Sequence, residues 1–578
     1  MPSLPPALPF LAGALLLPFL PRRVRSAAFL VFPVLAFLQL VALQPGTSVD
    51  LPFLGQELVV LRVDRLSLAF GYVFALMSFI GGVYGYHLKD AKQQVATLLY
   101  VGCSAGVVFA GDLLTLIIFW EVMAVSSAYL IWARGTLDSF HAAVRYLLVH
   151  ITGGSVLLGG ILVYSWSTGS LTFGHIDPSV GGWLILVGFA INAAVPPLHP
   201  WLPDAYPQGT ITGSVFMSAF TTKTAVYALA RGFAGWDILI WAGVMMALYG
   251  VVYAVLENDI RGILSYSIIS QIGYMVAAIG IGTEIAINAA TAHAFAHILY
   301  KGLLFMGAGS VLYATGHSKL TALGGLWRKM PLVLGLYMVG AVAISGFPLF
   351  SGFVSKSMVI FAAEEARLPW VAILLYVASI GTFLHTGLRL PYFTWGTKDS
   401  GLEPRPLPRN MYVGMGLAAA ACTIIGIAPG LLYNRLPYPV EFHPYTVPHL
   451  VSTMQLLLFA TLGFYLLLGL LKSQATISMD TDWFYRRLRP AAFLVGVSVP
   501  SHLFGAVEKL SLQGARALIS FGANPVRFLR TLPPWSGVHG PVEKDTSEYD
   551  PDSYRLPVGV AATALLLFFS ALFLWSLG

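Results

Sequence analysis

The sequence predicts an all-α polytopic membrane protein. Of its 578 residues, 57% are hydrophobic and only 10% are charged, and the mean hydropathy is +0.76. Soluble domains carry roughly 25% charged residues. The apolar residues also form runs of about 20 residues, the length that a helix needs to cross a bilayer. We therefore expect about 14–16 transmembrane helices and a location in the cell (inner) membrane as a multi-pass protein.

The apolar runs define the predicted segments in chain order. No basic region precedes the first run, so we expect a retained helix and not a cleaved signal. About sixteen segments meet the length rule, at about 5–20, 26–44, 64–86, 92–110, 112–132, 140–165, 181–199, 210–231, 237–256, 262–281, 286–314, 331–362, 370–394, 411–433, 449–471 and 557–577.

Positive charges in the connecting loops support this order. If the first segment runs from outside to inside, Lys and Arg concentrate in the inner loops, as topology signals do, and both termini lie outside. The outer loops hold scattered single residues such as Arg62 and Arg367. The inner loops hold Arg22, Arg23, Arg25, Lys89, Lys92, Arg134, Arg261, Lys319, Arg328, Lys329, Lys398, Arg405, Arg409, Lys472, Arg486, Arg487 and Arg489.

Two interruptions indicate internal repetition. Four prolines lie between Pro196 and Pro203 at the end of the seventh segment, and Gly346 and Pro348 interrupt the twelfth. Broken helices at corresponding places in two halves are typical of inverted-repeat transporters. The two breaks lie five segments apart, so we expect two inverted five-helix repeats with broken helices. Two ordinary proline kinks are the alternative.

The predicted domains follow from these repeats. Between about 490 and 535, apolar residues alternate with charges such as Lys509 and Arg516, which is typical of a short lateral amphipathic helix on the inner face. The domains are about 1–90 (N-terminal transmembrane helices), 91–232 (first five-helix repeat), 233–396 (second five-helix repeat), 397–475 (C-terminal transmembrane helices), 476–556 (lateral segment and loop) and 557–578 (terminal transmembrane helix).

Glu121 and Lys223 place one acid and one base deep inside apolar segments. An intramembrane charge costs at least a few kcal/mol, so it requires a partner or a function. At about 4 Å and an effective dielectric near 20, such a pair is worth about 4 kcal/mol. The two groups therefore suit a proton pathway; a static ion pair is the alternative.

The eleventh segment carries His293, His297 and Lys301 at i, i+4 and i+8. These groups share one helix face, each about 6 Å further along the axis, and water bridges such gaps. Because histidine titrates near neutrality, this face suits proton transfer. A zinc site is not expected here, because the segment lacks the glutamate of the zinc-protease motif and offers no third ligand. Ordinary core histidines remain the second alternative.

Lys356 follows the break in the twelfth segment, which favours a pathway role over a hydrated helix interface. Weaker candidates are polar residues that could instead satisfy loop carbonyls. They are Arg145, His141 and His150 on the sixth segment and His385 on the thirteenth.

Composition argues against several other functions. The net charge of +7 is not accompanied by a basic cluster interleaved with aromatic residues, so nucleic acid is not an expected partner. Cys103 and Cys422 lie singly in apolar segments, where packing is their expected role. The sequence has no haem-attachment motif, P-loop or dinucleotide fingerprint, so we expect no cofactor.

Several short motifs occur together over about residues 60–430. The sequence containing them resembles the large antiporter-like subunits shared by Mrp-type Na⁺/H⁺ antiporters, complex I and membrane-bound hydrogenases. The motifs are Phe119–Trp-Glu121, Pro197–Leu-His199–Pro-Trp-Leu-Pro-Asp204, Thr222–Lys223–Thr-Ala-Val-Tyr, Asp259–Ile-Arg261, Ser265–Tyr-Ser267, His293–Ala-Phe-Ala-His297 and Ser351–Gly-Phe-Val-Ser-Lys356.

The resemblance implies a hydrated polar axis through Glu121, Lys223 and Lys356, which the eleventh-segment residues His293, His297 and Lys301 link. His199 and Asp204 belong to the same motif set and are further pathway candidates. One position departs from the family. Asn192 stands where the family usually has a lysine, and an asparagine can bind water but cannot carry a proton charge.

The most specific hypothesis is a proton- or cation-translocating subunit of a multisubunit Mrp-type antiporter, closest to its D-type subunit. The alternative is a proton-pumping subunit of a complex I-like NADH:quinone oxidoreductase or membrane-bound hydrogenase, so the chain could belong to an enzyme. Further alternatives are a stand-alone solute carrier and an inactive scaffold subunit. The expected partners are other membrane subunits, the lipid bilayer, and H⁺ or Na⁺.

Overall fold

The computed structural model of the protein is built almost entirely of helices, as the sequence predicts. It describes residues 4–53, 56–472, 474, 480–523, 528 and 558–576. Within these residues, ten helices are long and apolar enough to cross a membrane. Four shorter apolar helices lie at Leu8–Phe19, Val180–Asn192, Pro331–Ser345 and Gly559–Leu572. The all-α polytopic fold is therefore confirmed.

The chain forms two compact units, Met1–Asp482 and Trp483–Gly578. The described residues of the first unit form nineteen α-helices. Their bounds are α1 Leu8–Leu16, α2 Arg22–Ala42, α3 Arg65–Tyr84, α4 Ala91–Phe109, α5 Leu113–Trp132, α6 Leu137–Thr168, α7 Val180–Asn192, α8 Trp201–Ala205, α9 Ile211–Ala219, α10 Thr221–Gly232, α11 Asp237–Leu256, α12 Ile260–Ile281, α13 Glu284–Thr315, α14 Pro331–Ser345, α15 Ser351–Glu365, α16 Pro369–Thr382, α17 Arg409–Ile427, α18 Gly430–Tyr433 and α19 Val447–Leu466.

The second unit is helical wherever the structure describes it. Its helices are α20 (Asp482–Phe493, which begins at the last residue of the first unit), α21 (Val499–Ala523) and α22 (Val558–Ser576). Helix α21 covers much of the predicted lateral helix, and its position on the inner face stays a prediction. The loop predicted before the terminal helix lies entirely outside the described residues.

The β-hairpin between α2 and α3 is not predicted from the sequence. Strands β1 (Ser48–Phe53) and β2 (Gln56–Arg62) pair antiparallel. The carbonyl of Val59 accepts a hydrogen bond from the amide of Gly111, 2.8 Å away. The hairpin thus contacts the connection between α4 and α5.

Polar side chains fix where several helices begin. Asp64 and Ser67 form a reciprocal capping box at the start of α3. Asp112 accepts from the amide of Thr115 at the start of α5, which satisfies an amide that lacks a partner within the helix. These caps place the first turns of the helices that carry the apolar core.

Helices α12 and α13 occupy the interior of the first unit. Residues 260–280 of α12 are all buried, and so is most of α13. Small residues allow α11 to approach α12 closely, because a Cβ on Gly273 would overlap the carbonyl oxygen of Gly243. Charged groups on α13 are consequently held away from lipid.

The predicted breaks are present, together with one that is not predicted. Helix α7 ends before the proline-rich stretch and α8 begins inside it, directly after Pro200, and α14 and α15 are separate helices. The eighth predicted segment is also divided, because α9 ends at Ala219 and α10 begins at Thr221. The inverted relation between the two five-helix repeats stays a prediction.

Candidate functional site

Lys223 lies in the first turn of α10, directly after the break at Phe220. The side chain is completely buried, and Nζ donates to the carbonyl of Ser218 at 2.6 Å and to Oγ1 of Thr222 at 3.1 Å. Ser218 belongs to the last turn of α9, where helix carbonyls lack amide partners within the helix. The break therefore creates an acceptor for the buried amine.

Lys356 is held by a similar arrangement at the break between α14 and α15. Its Nζ donates to the carbonyl of Ile344 at 2.7 Å and to Oγ of Ser379 at 3.4 Å. Ile344 belongs to the last turn of α14. The amine also lies 5.4 Å from the centre of the Tyr274 ring, a distance at which the ring face attracts a cation.

Helix α13 carries the predicted histidine and lysine face through the buried interior. His293, His297 and Lys301 are completely buried. The ring centres of the two histidines are 6.3 Å apart, and Nδ1 of His293 lies 3.1 Å from Oγ of Ser355 on α15. Neither ring nitrogen of His297 has a hydrogen-bond partner among the described residues. The gap between the rings is of a size that water bridges.

A chain of hydroxyl groups continues from this face toward His385. Lys301 donates to Oγ of Ser267 at 2.9 Å, and Thr386 donates to the same oxygen at 3.5 Å. The hydroxyl of Thr386 lies 2.7 Å from Nδ1 of His385. His385, a weak candidate from the sequence, is thus connected to Lys301 through two hydroxyl groups.

Glu121 lies on α5 and faces α6. Its Oε1 is buried and has no hydrogen-bond partner among the described residues. A Cβ on Gly154 of α6 would overlap this oxygen, so the absence of a side chain there makes room for the carboxyl group. The position of Glu121 therefore depends on a glycine in the neighbouring helix.

Glu121 and Lys223 do not form an ion pair with each other in the described part of the chain. The lysine is satisfied by Ser218 and Thr222, and the carboxylate lies against Gly154. The static pair that the sequence left open is thus not the arrangement observed.

Asn192 is the last residue of α7 and is completely buried. Both polar atoms of its amide lack a hydrogen-bond partner among the described residues. Buried amides are normally hydrogen-bonded, to protein or to water. Asn192 therefore supplies a donor and an acceptor at the break, without a charge.

His150, Arg145 and Asp204 have structural contacts around the same break. The ring of His150 stacks on Tyr146 with centres 4.0 Å apart, and its Nδ1 lies 2.8 Å from the Tyr146 carbonyl. Arg145 donates to both carboxylate oxygens of Asp204, at 2.7 and 2.8 Å, and thereby connects α6 to α8. This geometry is bidentate and favours a clamp over a mobile proton carrier.

His199, within the break, contacts a carboxylate that sequence reasoning missed. Its Nε2 lies 3.2 Å from Asp480, which follows α19 along the chain. The two residues are 281 positions apart. No local pattern indicates this contact, and the sequence analysis assigns Asp480 only to the lateral segment.

A cavity of about 300 Å³ lies beside Lys356. Its lining includes the hydroxyl groups of Ser357 and Ser379 and the imidazole of His449 on α19. The ring of His449 stacks on Phe353 with centres 4.7 Å apart. His449 was not a predicted site residue, because its segment contains no break or charge motif.

The structure gathers most of the predicted axis around α13. This helix contacts α10, which carries Lys223, and α15, which carries Lys356. Glu121, on α5, lies against α6, and among the described residues no hydrogen bond joins it to the polar groups of α13. The arrangement contains three buried amines, Lys223, Lys301 and Lys356, together with imidazoles and hydroxyls on and around α13, which are groups that accept and donate protons.

Comparison with a protein family model gives a match over residues 110–382. The model describes the NADH:quinone oxidoreductase/Mrp antiporter transmembrane family. The matched residues include both predicted breaks, after α7 and after α14, and the whole of α13.

Two relatives illustrate the similarity in sequence. The chain is 32% identical over 375 residues to an uncharacterized protein of Methanocaldococcus jannaschii, covering 61% of this chain and 78% of that protein. It is 29% identical over 497 residues to the A-type subunit of the Na⁺/H⁺ antiporter of Alkalihalophilus pseudofirmus, covering 75% of this chain and 61% of that protein. The chain thus spans less than two thirds of the antiporter protein.

Two solved structures share the fold. A chain of the Mrp complex from Dietzia sp. DQ12-45-1b gives a TM-score of 0.66 at 24% identity, covering 74% of this chain and 94% of that one. A chain of the membrane-bound sulfane sulfur reductase, an archaeal respiratory membrane complex, gives a TM-score of 0.69 at 24% identity, covering 88% and 95%.

Proposed function

Because the chain belongs to the NADH:quinone oxidoreductase/Mrp antiporter family of membrane proteins, we propose that it is the proton- or cation-translocating subunit of a multisubunit Mrp-type Na⁺/H⁺ antiporter. The family relation is supported by the match over residues 110–382. The antiporter assignment is supported by the similarity to the A-type subunit of an Na⁺/H⁺ antiporter. The finer assignment to a D-type subunit stays a prediction.

The observation that carries this proposal is the buried series of proton-binding groups between Lys223 and Lys356. Burying three amines and two imidazoles in one membrane unit is costly, and such groups in membrane proteins commonly mark ion pathways. Helix α13 supplies the middle of the series through His293, His297 and Lys301.

The lysine geometry suits proton exchange. An ammonium group has three donors. Each of Lys223 and Lys356 directs hydrogen bonds to two protein oxygens, so one donor remains for a proton acceptor. A charge on one lysine also disfavours a charge on a neighbouring base. Proton arrival at one end of the series therefore favours proton release further along it.

Glu121 and Asn192 have supporting roles in this proposal. Glu121 provides the acid outside the α13 series, in the space left by Gly154. Asn192 provides hydrogen-bonding capacity at the α7 break without holding a proton. We propose that the first half of the pathway is retained, because Lys223 and His199 both remain near the ends of the broken helices.

The second candidate is a proton-pumping subunit of a redox complex. It is favoured by the similarity in fold to a chain of an archaeal respiratory membrane complex. In both cases the chain acts in the cell membrane together with other membrane subunits. The two candidates differ in what drives transport: a cation gradient in the first, and an electron donor in the second.

Inverted membrane vesicles that contain the chain with its native partner subunits distinguish the two. A pH-sensitive dye reports the proton gradient across the vesicle membrane. For an antiporter, addition of Na⁺ or K⁺ collapses an imposed gradient, and vesicles with Lys223→Ala do not respond. Gradient formation driven by an electron donor, with no response to either cation, would assign the chain to a redox pump instead.

A further inference from the structure

His199 lies in the chain segment that joins α7 to α8. The residue is completely buried, and it follows Pro196 and Pro197. Its Nε2 lies 3.2 Å from each carboxylate oxygen of Asp480. Its Nδ1 has no hydrogen-bond partner among the described residues. One nitrogen of the ring is therefore engaged, and the other is open to a further partner.

Asp480 reaches this position from the segment that follows α19. The residue is 8% exposed. Its carboxylate accepts from the hydroxyl of Tyr249 on α11 at 2.5 Å and from the hydroxyl of Tyr266 on α12 at 2.6 Å. Thr481 donates through its hydroxyl to the carbonyl of Pro197 at 3.2 Å. The segment is thus fixed to the α7 break and to two helices of the second predicted repeat.

The hydrogen bonds keep the carboxylate ionised. Burial by itself raises the pKa of Asp480. The hydrogen bond and the charge of His199, together with the two tyrosine hydroxyls, oppose this effect and hold the pKa below its usual range. An ionised carboxylate can only accept, so Nε2 of His199 must carry the shared proton. Nδ1 is then the nitrogen at which the ring binds or releases a proton.

We propose that Asp480 is a positioning residue that holds His199 for proton transfer through Nδ1 at the α7 break. This inference rests on the proposed transport function. Nδ1 accepts one proton from a protonated water molecule on one side of the ring and passes the same proton to a neutral water molecule on the other, while Nε2 keeps its own proton and its hydrogen bond to the carboxylate. Asp480 orients the ring and compensates its transient positive charge without itself changing protonation state.

Tyrosine rings and one carboxylate surround His199. The Tyr249 ring lies edge-on to the imidazole with centres 4.7 Å apart, and Tyr253 stacks on Tyr249. Tyr266 reaches the ring only through the carboxylate. On the side of α8, Asp204 is engaged by Arg145. Within the described part of the chain, Asp480 is therefore the acid that directly contacts His199.

The test is proton transport by the assembled complex as a function of pH. Asp480→Asn keeps the shape of the side chain and removes its charge. His199→Gln replaces the imidazole by an amide, which has no nitrogen that can take the role of Nδ1. Asp399→Asn is the matched control, since Asp399 also pairs with a cation, Lys329, but its side chain is largely exposed. The fourth variant combines Asp480→Asn with His199→Gln.

Asp480→Asn should assemble at normal yield and transport at least about tenfold more slowly, a smaller loss than the roughly 10²- to 10⁴-fold that a proton-transferring group itself contributes. The pH dependence of its transport should differ from that of the wild type, because the ring loses the carboxylate that orients it and compensates its transient positive charge. The double variant should be no slower than His199→Gln alone. Asp399→Asn should match the wild type.

Three results would overturn the proposal: wild-type rate and pH profile in Asp480→Asn, additive losses in the double variant, or a lower yield with unchanged transport per assembled complex. If Asp480→Asn does not assemble, Tyr249→Phe provides the second variant, since it removes one donor from the carboxylate. It should also change the pH profile, and an unchanged profile would overturn the proposal. Lys223→Ala in the same vesicles tests the transport function separately.

Discussion

Lys223 and Lys356 are bound by the same structural device, although 133 positions separate them in the chain. Nζ of each donates to a carbonyl in the last turn of the preceding helix, Ser218 for one and Ile344 for the other, at 2.6 and 2.7 Å. Each break thus supplies the acceptor for its own lysine. The two breaks lie in the eighth and twelfth predicted segments, so they do not have the five-segment spacing of the predicted repeats.

Gly154→Ala should impair transport by displacing the carboxyl group of Glu121. The added Cβ would overlap Oε1, so the glutamate must move. We expect a loss that approaches that of Glu121→Gln, which removes the acid and should abolish ion movement without preventing assembly. The measurement is proton flux per assembled complex.

Gly159→Ala on the same helix is the matched control. No atom lies within 4 Å of a Cβ at that position, so its flux should equal that of the wild type. If Gly154→Ala is as active as this control, the position of the Glu121 carboxyl group does not matter for transport.

His297→Ala should slow transport strongly, because it removes the imidazole between His293 and Lys301 on α13. We expect a loss of about 10²-fold, typical of a proton-transfer group. His502→Ala is the comparison, since His502 is exposed on α21 in the second unit. If both changes have equal and negligible effects in a flux assay, His297 only packs in the core and does not transfer protons.

Asn192 tests whether ions pass the α7 break. Asn192→Leu replaces an amide by a group that cannot bind water, so a retained pathway predicts loss of flux at normal complex yield. Asn192→Lys should maintain or raise flux if the site solvates a charge, and should lower complex yield if it does not, because an unsolvated ammonium costs several kcal/mol in a membrane. Full activity of Asn192→Leu would show that the pathway avoids this point.

The sequence predicted those features of the site that depend on local spacing. The face of α13 follows from residues three to four positions apart, and the α7 break follows from its prolines. The break at Phe220 has no glycine or proline within two positions, so no local signal could reveal it.

Contacts between distant parts of the chain were not predictable in this way. Asp480 meets His199 across 281 positions, and Gly154 makes room for Glu121 on another helix. The cavity beside Lys356 includes His449 from α19 for the same reason. Such contacts depend on how helices pack, and single-sequence periodicity carries no information about which helices meet.

The central claim is that protons move between Lys223 and Lys356 along α13. The most direct measurement is proton flux in vesicles that contain the assembled complex with Lys223→Ala or with Lys356→Ala, normalised to the amount of complex. Lys329→Ala serves as control, because that lysine pairs with the exposed Asp399 and Glu403. The account predicts that each of the first two variants assembles and loses flux, and that the control transports normally. Wild-type flux in either Lys223→Ala or Lys356→Ala would contradict it.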